Sequence, residues 1–282
     1  MMMFLVYFLI SAAALALLLF SAYILMFVRP GRCGKVNKAL LTEYAHRGLF
    51  GGDVPENSLA AFKNARDAGY GIELDLQLSG DGTVMVFHDY TLIRMTGKDG
   101  KLSEKTAVEL SALTLGDSDQ HIPTFREVLE LVDGKVPILI ELKGEDLNSS
   151  LCERAAEILK DYRGDYCIES FNPLLIKSIK KYLPDVYTGQ LYTNVCRDKK
   201  KYSPLNILLS IMAFNFIAKP DFIAYNKEDR SSIPVKLACG LYRAPRFVWT
   251  VKTESELRDA VKYGECPIFE APATEDENEA KK

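Results

Sequence analysis

Residues 136–142 read VPILIEL, apolar at successive positions and therefore on both faces of an extended chain. A strand of that kind needs cover on each side, which only a parallel sheet wrapped in helices supplies. The pattern recurs. Strand-like runs fall at Leu41–Ala45, Gly71–Leu78, Val84–Phe87, Val136–Leu142, Tyr166–Glu169, Val186–Leu191, Asp221–Tyr225, Arg246–Val251 and Pro267–Glu270. Helix-like stretches between them include Ser58–Ala68, Thr124–Leu131, Leu151–Tyr162, Pro173–Tyr182, Leu205–Ile217 and Glu254–Tyr263. Runs 71–78 and 84–87 are joined by Ser79-Gly80-Asp81-Gly82, far too short for a helical crossover, so they form an antiparallel hairpin. Setting that hairpin aside leaves eight parallel strands, and the expected fold is an α/β (β/α)8 TIM barrel with a small insertion after the hairpin. A doubly wound open sheet is the competing architecture, but no GxGxxG or GxxxxGK follows the first strand.

The barrel accounts for residues 39–270. Before it, residues 4–28 are apolar save for Ser11 and Ser21, and a helix over them spans about 37 Å against a hydrocarbon core of roughly 30 Å. A single N-terminal transmembrane helix is therefore expected. A cleaved signal peptide is the rival reading, but it calls for a basic leader and a shorter apolar core. The first charges are Arg29, Arg32, Lys35 and Lys38 in a basic juxtamembrane linker, residues 29–38, so the positive-inside rule puts the body of the protein in the cytoplasm. Residues 271–282 form a charged tail. With 35 Lys+Arg against 38 Asp+Glu there is no basic excess for nucleic acid, so an anionic ligand must be held locally. The six cysteines form no CxxC or Cys/His cluster, which leaves free thiols as the default.

Barrel chemistry comes from the C-terminal ends of strands, and four of these carry polar groups: His46-Arg47-Gly48, Glu73 with Asp75, His88-Asp89, and Glu141 with Lys143. With the hairpin turn centred between Asp81 and Gly82, His88 falls opposite Asp75. Glu73 and Asp75 share one face of their strand, as do Glu141 and Lys143. Three carboxylates in one barrel mouth resist joint ionisation unless a cation lies among them, and their hard oxygens suit Ca2+ or Mg2+. With Arg47 and Lys143 included, the loaded site carries about one positive charge, suited to a phosphodiester monoanion. His46 and His88 add two groups that exchange protons near neutral pH, the equipment for metal-assisted phosphoryl transfer.

The strings AHRG at 45–48, PENS at 55–58, ELD at 73–75, DGTVMVFHD at 81–89, ELK at 141–143, SFNP at 170–173 and VWTV at 248–251 together resemble the glycerophosphodiester phosphodiesterase signature. Their joint order and spacing carry the likeness. The resemblance implies a TIM-barrel enzyme that hydrolyses glycerophosphodiesters to glycerol 3-phosphate and an alcohol. It implies one divalent cation on Glu73, Asp75 and Glu141, acid/base catalysis by His46 and His88, phosphate binding by Arg47 and Lys143, and packing of Trp249 against glycerol or headgroup. Attack of the substrate's own glycerol hydroxyl on phosphorus would give a cyclic phosphate that water then opens, so no enzyme nucleophile is needed.

Glu56 is expected to orient Arg47 or the substrate. Asn57 has two readings, a substrate contact or the N-cap of the helix that follows, with Ser58 as the alternative cap. His121 is expected to be structural or at the rim. The anchor brings lysophospholipids at the membrane surface into the expected substrate range. One departure from the family pattern, Phe269-Glu270-Ala271-Pro272 at the last strand, motivates a rival reading as a tethered, non-catalytic phosphodiester-binding module. A phosphoinositide-type phospholipase C shares the two-histidine barrel logic but not the Glu-Leu-Asp and Glu-Leu-Lys pattern.

Overall fold

The computed structural model describes residues 1–31, 37–144 and 150–270. Nine strands form: β1 Tyr44–Ala45, β2 Gly71–Leu78, β3 Val84–Val86, β4 Ile138–Leu142, β5 Tyr166–Ser170, β6 Tyr187–Tyr192, β7 Phe222–Asn226, β8 Arg246–Val251 and β9 Cys266–Phe269. The sheet runs β1-β9-β8-β7-β6-β5-β4-β2-β3, and β1 also pairs with β2, so eight parallel strands close into a ring. This is the expected TIM barrel.

The ninth strand sits where the ring leaves room. β1 is two residues long and pairs only with Gly71 and Ile72 of β2, so the rest of that edge of β2 is open. β3 fills it, antiparallel, with Leu76 opposite Val86 and Leu78 opposite Val84. That register differs by one residue from the expected one. The turn is a three-residue loop centred on Asp81, closed by a hydrogen bond from Ser79 N to Thr83 O, with Gly82 at φ 81°. A left-handed third residue is the mark of such loops. Phe87, not His88, therefore faces Asp75, donating its N–H to the Asp75 carbonyl at 2.9 Å.

Period-two alternation separates two cores. Outward residues Ile72, Leu74, Leu76, Ile138, Ile140 and Leu142 pack under helices Leu59–Asp67, Phe125–Val132 and Ser150–Leu159. Inward, Tyr44, Leu139, Cys167, Phe222, Phe247 and Ile268 plug the lower barrel. Above that plug the same inward rows turn acidic: Glu73 and Asp75 on β2, Glu141 on β4 and Glu169 on β5. After β3, Leu92, Leu102, Leu110, Leu115 and Ile122 build a small satellite core with Met85 and Phe87.

A second expectation changes with the helices. Residues 205–217 are not one barrel helix but two short ones, Pro204–Ser210 and Asn215–Ala218, broken where Met212 adopts φ 52°. The apolar N-terminal helix runs from Met2 to Phe27, with a π-helical last stretch from Tyr23 to Phe27, and is long and apolar enough to cross a membrane. Of the linker, residues 32–36 with Cys33 lie outside the described residues, as does the tail from 271. Cys152, Cys167, Cys196, Cys239 and Cys266 are free and buried.

Candidate active site

At the barrel mouth, one oxygen from each of Glu73, Asp75 and Glu141 lies within 4.8 Å of the others. Burial pushes the Glu73 carboxyl well above its usual range, reinforced by Asp75 and Glu141 and opposed by Arg47. Burial likewise moves Glu141 up to about 7, with Lys143 opposing and Asp75 adding to it. Asp75 goes the other way: burial works against its charge, but Lys143, His88, Arg47 and Asn57 outweigh it. One carboxylate is thus firmly ionised and its neighbours resist joining it, the condition a cation relieves. The donors are all oxygens, which fits Ca2+ or Mg2+ and not a soft metal.

Cationic and amide groups surround the acids. Lys143 Nζ lies 3.2 Å from Asp75 Oδ1 and 3.0 Å from Glu141 Oε1. Arg47 takes φ 56°, which turns its N–H onto Glu73 Oε2 at 2.8 Å and lets its guanidinium reach Glu56 at 2.8 Å. Asn57, at φ 54°, donates Nδ2 to Asp75 Oδ2 at 2.8 Å, while Ser58 caps the next helix by accepting from Ala61 N. The capping alternative therefore belongs to Ser58. Left-handed backbone at two non-glycine residues in one loop costs of order 1 kcal/mol or more each, and both are held by contacts to the acids.

His46 and His88 share one arrangement. His88 Nδ1 donates to Asp89 Oδ1 at 2.6 Å, and His46 Nδ1 donates to Glu270 Oε1 at 3.3 Å. A carboxylate can only accept, so in both rings the second nitrogen, Nε2, is left for the pocket. His46 Nε2 lies 4.0 Å from Glu73. Burial lowers the His88 pKa, with Lys143 and Arg47 assisting and Asp75 and Asp89 opposing. His88 itself is fixed by Gln77, whose Nε2 lies 2.8, 3.1 and 2.9 Å from the carbonyls of Phe87, His88 and Asp89. Arg94, from the insertion, joins Asp89 at 2.5 Å to Glu56 at 2.6 Å. Trp249 donates to the Ala224 carbonyl at 3.1 Å and meets Phe171 edge-on at 5.7 Å. His121 stands apart, 3.3 Å from Glu127.

Sequence reasoning missed two of these groups. Glu169 faces Glu141 across β4 and β5, is 1% exposed, and has its pKa raised by burial and then by the other three acids. Its signal was available: an acid closing an apolar run, the criterion that found Glu141. Glu270 was noted as an anomaly, yet it bonds His46 and lies 3.0 Å from Lys252; the His46 bond and Lys252 outweigh partial burial and hold its carboxyl at about 2.

A sequence model of the Glycerophosphoryl diester phosphodiesterase family matches residues 46–269. The chain belongs to this family. Among curated relatives, a glycerophosphodiester phosphodiesterase of Caldanaerobacter subterraneus subsp. tengcongensis is 32% identical over 231 residues, 78% of this chain and 89% of the relative. One from Bacillus subtilis is 26% identical over 251 residues, 80% of this chain and 81% of its own length. A Thermotoga maritima glycerophosphodiester phosphodiesterase structure superposes with TM-score 0.63 at 26% identity, covering 81% of this chain and 94% of that one. An Oleispira antarctica phosphodiesterase, solved with its product sn-glycerol-3-phosphate, gives TM-score 0.66 at 24% identity over 81% and 92% and shows the shared fold. With the family goes the reaction class: the chain is a phosphoric diester hydrolase.

Proposed function

We propose that this enzyme hydrolyses glycerophosphodiesters to sn-glycerol 3-phosphate and an alcohol, using one Ca2+ or Mg2+ held by Glu73, Asp75 and Glu141. The observation that carries this reading is the pair of histidines beside the acid cluster, each with Nδ1 on a carboxylate, His46 Nε2 lying 4.0 Å from Glu73 and His88 close enough to Asp75 to feel its charge. The cation would draw off phosphoryl charge and favour ionisation of the attacking hydroxyl. Arg47 and Lys143 hold the phosphate oxygens, and Trp249 with Phe171 packs against the glycerol or alcohol portion. His88, kept neutral by its burial beside cations, takes the proton of the substrate's glycerol hydroxyl as that oxygen attacks phosphorus. His46, with Glu270 steadying its far nitrogen, gives a proton to the leaving alcohol oxygen. Reversing the two proton transfers lets water open the cyclic phosphate.

The substrate range proposed here includes lysophospholipids. An apolar cavity of about 310 Å³ beside Phe171, Leu191, Tyr192 and Met212 offers an acyl chain room next to the Phe171–Trp249 pair. Helix Met2–Phe27 is proposed as a single-span anchor with the barrel on the cytoplasmic side; protection of the C-terminal tail from protease in intact cells supports that topology, and cleavage overturns it.

The enzymatic test is glycerophosphocholine turnover by the full chain, untreated, with EDTA, and as His46→Ala. The reading expects loss in both treatments and glycerol 3-phosphate as product. Full activity in both overturns the mechanism, and glycerol with phosphocholine in place of glycerol 3-phosphate with choline points to phospholipase C chemistry.

A further inference from the structure

The helix Pro204–Ser210, PLNILLS, is inside out. Its one buried residue is Asn206, 8% exposed, whose Nδ2 donates to the Lys201 carbonyl at 2.8 Å. Leu205, Ile207 and Leu208 face outward at 57%, 44% and 41% exposure. In water this arrangement leaves apolar surface wet and gains nothing for it; against hydrocarbon it is the favourable one. Tyr202 and Ile233, 78% and 66% exposed, lie nearby around the same groove.

The groove is completed by the N-terminal helix. Leu19, Phe20 and Tyr23 line it together with Tyr192, the last residue of β6, and Ile207. Further along, Val28 O accepts from Asn215 Nδ2 at 3.0 Å, and Gly31 N donates to Pro220 O, just before β7 begins. The docked end of the helix therefore runs up the barrel flank from the strands' N-terminal ends toward their C-terminal ends. Met1 to Leu18, ahead of the groove-lining Leu19 and Phe20, are all exposed, and residues 2–18 at 1.5 Å each extend about 26 Å, close to one hydrocarbon thickness. That free length leaves from the side of the molecule that carries the mouth. Lys199, Lys200 and Lys201, all exposed, stand beside the inverted helix, where anionic headgroups would meet them.

We propose that the barrel sits mouth-first on the bilayer, with helix Pro204–Ser210 lying in the lipid interface as a second membrane contact beside the spanning helix. This rests on the anchor reading above and deepens it. A phosphodiester headgroup projecting from the leaflet then faces the acid cluster directly, and a lysophospholipid need not leave the membrane completely to react.

The test uses the full chain in vesicles of phosphatidylcholine and phosphatidylglycerol carrying brominated acyl chains. The wild type has one tryptophan, Trp249, as baseline. Leu208→Trp, Leu9→Trp and Val261→Trp each add one reporter, Val261 being exposed near the C-terminal end of helix Glu254–Lys262. Retained glycerophosphocholine turnover certifies folding of each variant. The proposal expects the added emission at positions 9 and 208 to be mostly quenched and that at 261 to be unaffected. Quenching at 9 but not 208 overturns the seating and leaves the anchor standing. Quenching at neither position overturns both. A position 208 shielded from bromine and from aqueous iodide alike, increasingly so at higher protein-to-lipid ratio, means a second copy covers the face and also overturns the proposal.

Discussion

The histidine at each side of the site is only as good as the carboxylate behind it. Glu270→Gln keeps the shape but removes the charge that steadies His46, and outer partners of this kind are worth about 10- to 100-fold. The expected result is a kcat lowered by that factor with KM nearly unchanged; an unaltered kcat would deny Glu270 a positioning role. For His88 the reporter is pH. Burial favours its neutral form, so the acid limb of the kcat/KM profile should lie below the ordinary imidazole value, and Asp89→Asn, which removes a contact that favours the proton, should move it lower still. A limb that moves up overturns the assignment of His88 as base. At this scale most of the site was readable, because acids and histidines closing apolar strands stand out. Glu270 was harder to read: the expected barrel makes β1 and β9 neighbours, but that Glu270 meets His46 depends on their register, Ala45 beside Phe269, which residue order alone does not announce.

Elements were legible where burial dictated their pattern. β4 is apolar on both faces because it separates the outer helices from the barrel plug, so its run was unambiguous. Residues 205–217 misled because an unbroken apolar run carries no sign of the left-handed Met212 that divides it into two short helices. The hairpin register slipped by one because the left-handed Gly82 closes a three-residue loop centred on Asp81, not between Asp81 and Gly82. Barrel packing gives a sharper test at Gly189 of β6. A Cβ there would run into the Phe222 ring. Gly189→Ala should cost about 1–3 kcal/mol, read as a lower melting temperature, with Phe222→Leu restoring part of it. A fully neutral Gly189→Ala would mean that the plug is looser than its ring contacts, Phe222 to Phe247 at 4.3 Å, indicate.

For the whole molecule, the acid cluster ties stability to both pH and cation. Glu73, Glu141 and Glu169 have raised folded-state pKa values, so without metal their contribution is present below the unfolded carboxyl range, about 4.3, and is lost as pH rises through the folded values, about 7 for Glu141. Asp75 is lowered and acts oppositely, losing its contribution only on strong acidification. Melting of EDTA-treated protein in detergent should therefore fall from pH 5 to pH 8, and Ca2+ or Mg2+ should raise it more at pH 8. Equal increments at both values would separate the cation from these carboxyls.

The ring is latched by β1, whose two residues hold β2 on one side and β9 on the other. His46 follows the first of the ring strands, donates its N–H to the Phe269 carbonyl at 2.8 Å and finds its side-chain partner in Glu270, just past the end of the last. A nascent chain emerging from the ribosome accordingly holds seven strands of the ring waiting for a clasp that arrives only with its final segment. Hydrolytic competence then doubles as a receipt for completed synthesis: a chain cut off before residue 266 carries both histidines and every proposed metal ligand, yet nothing to shut the circle around them.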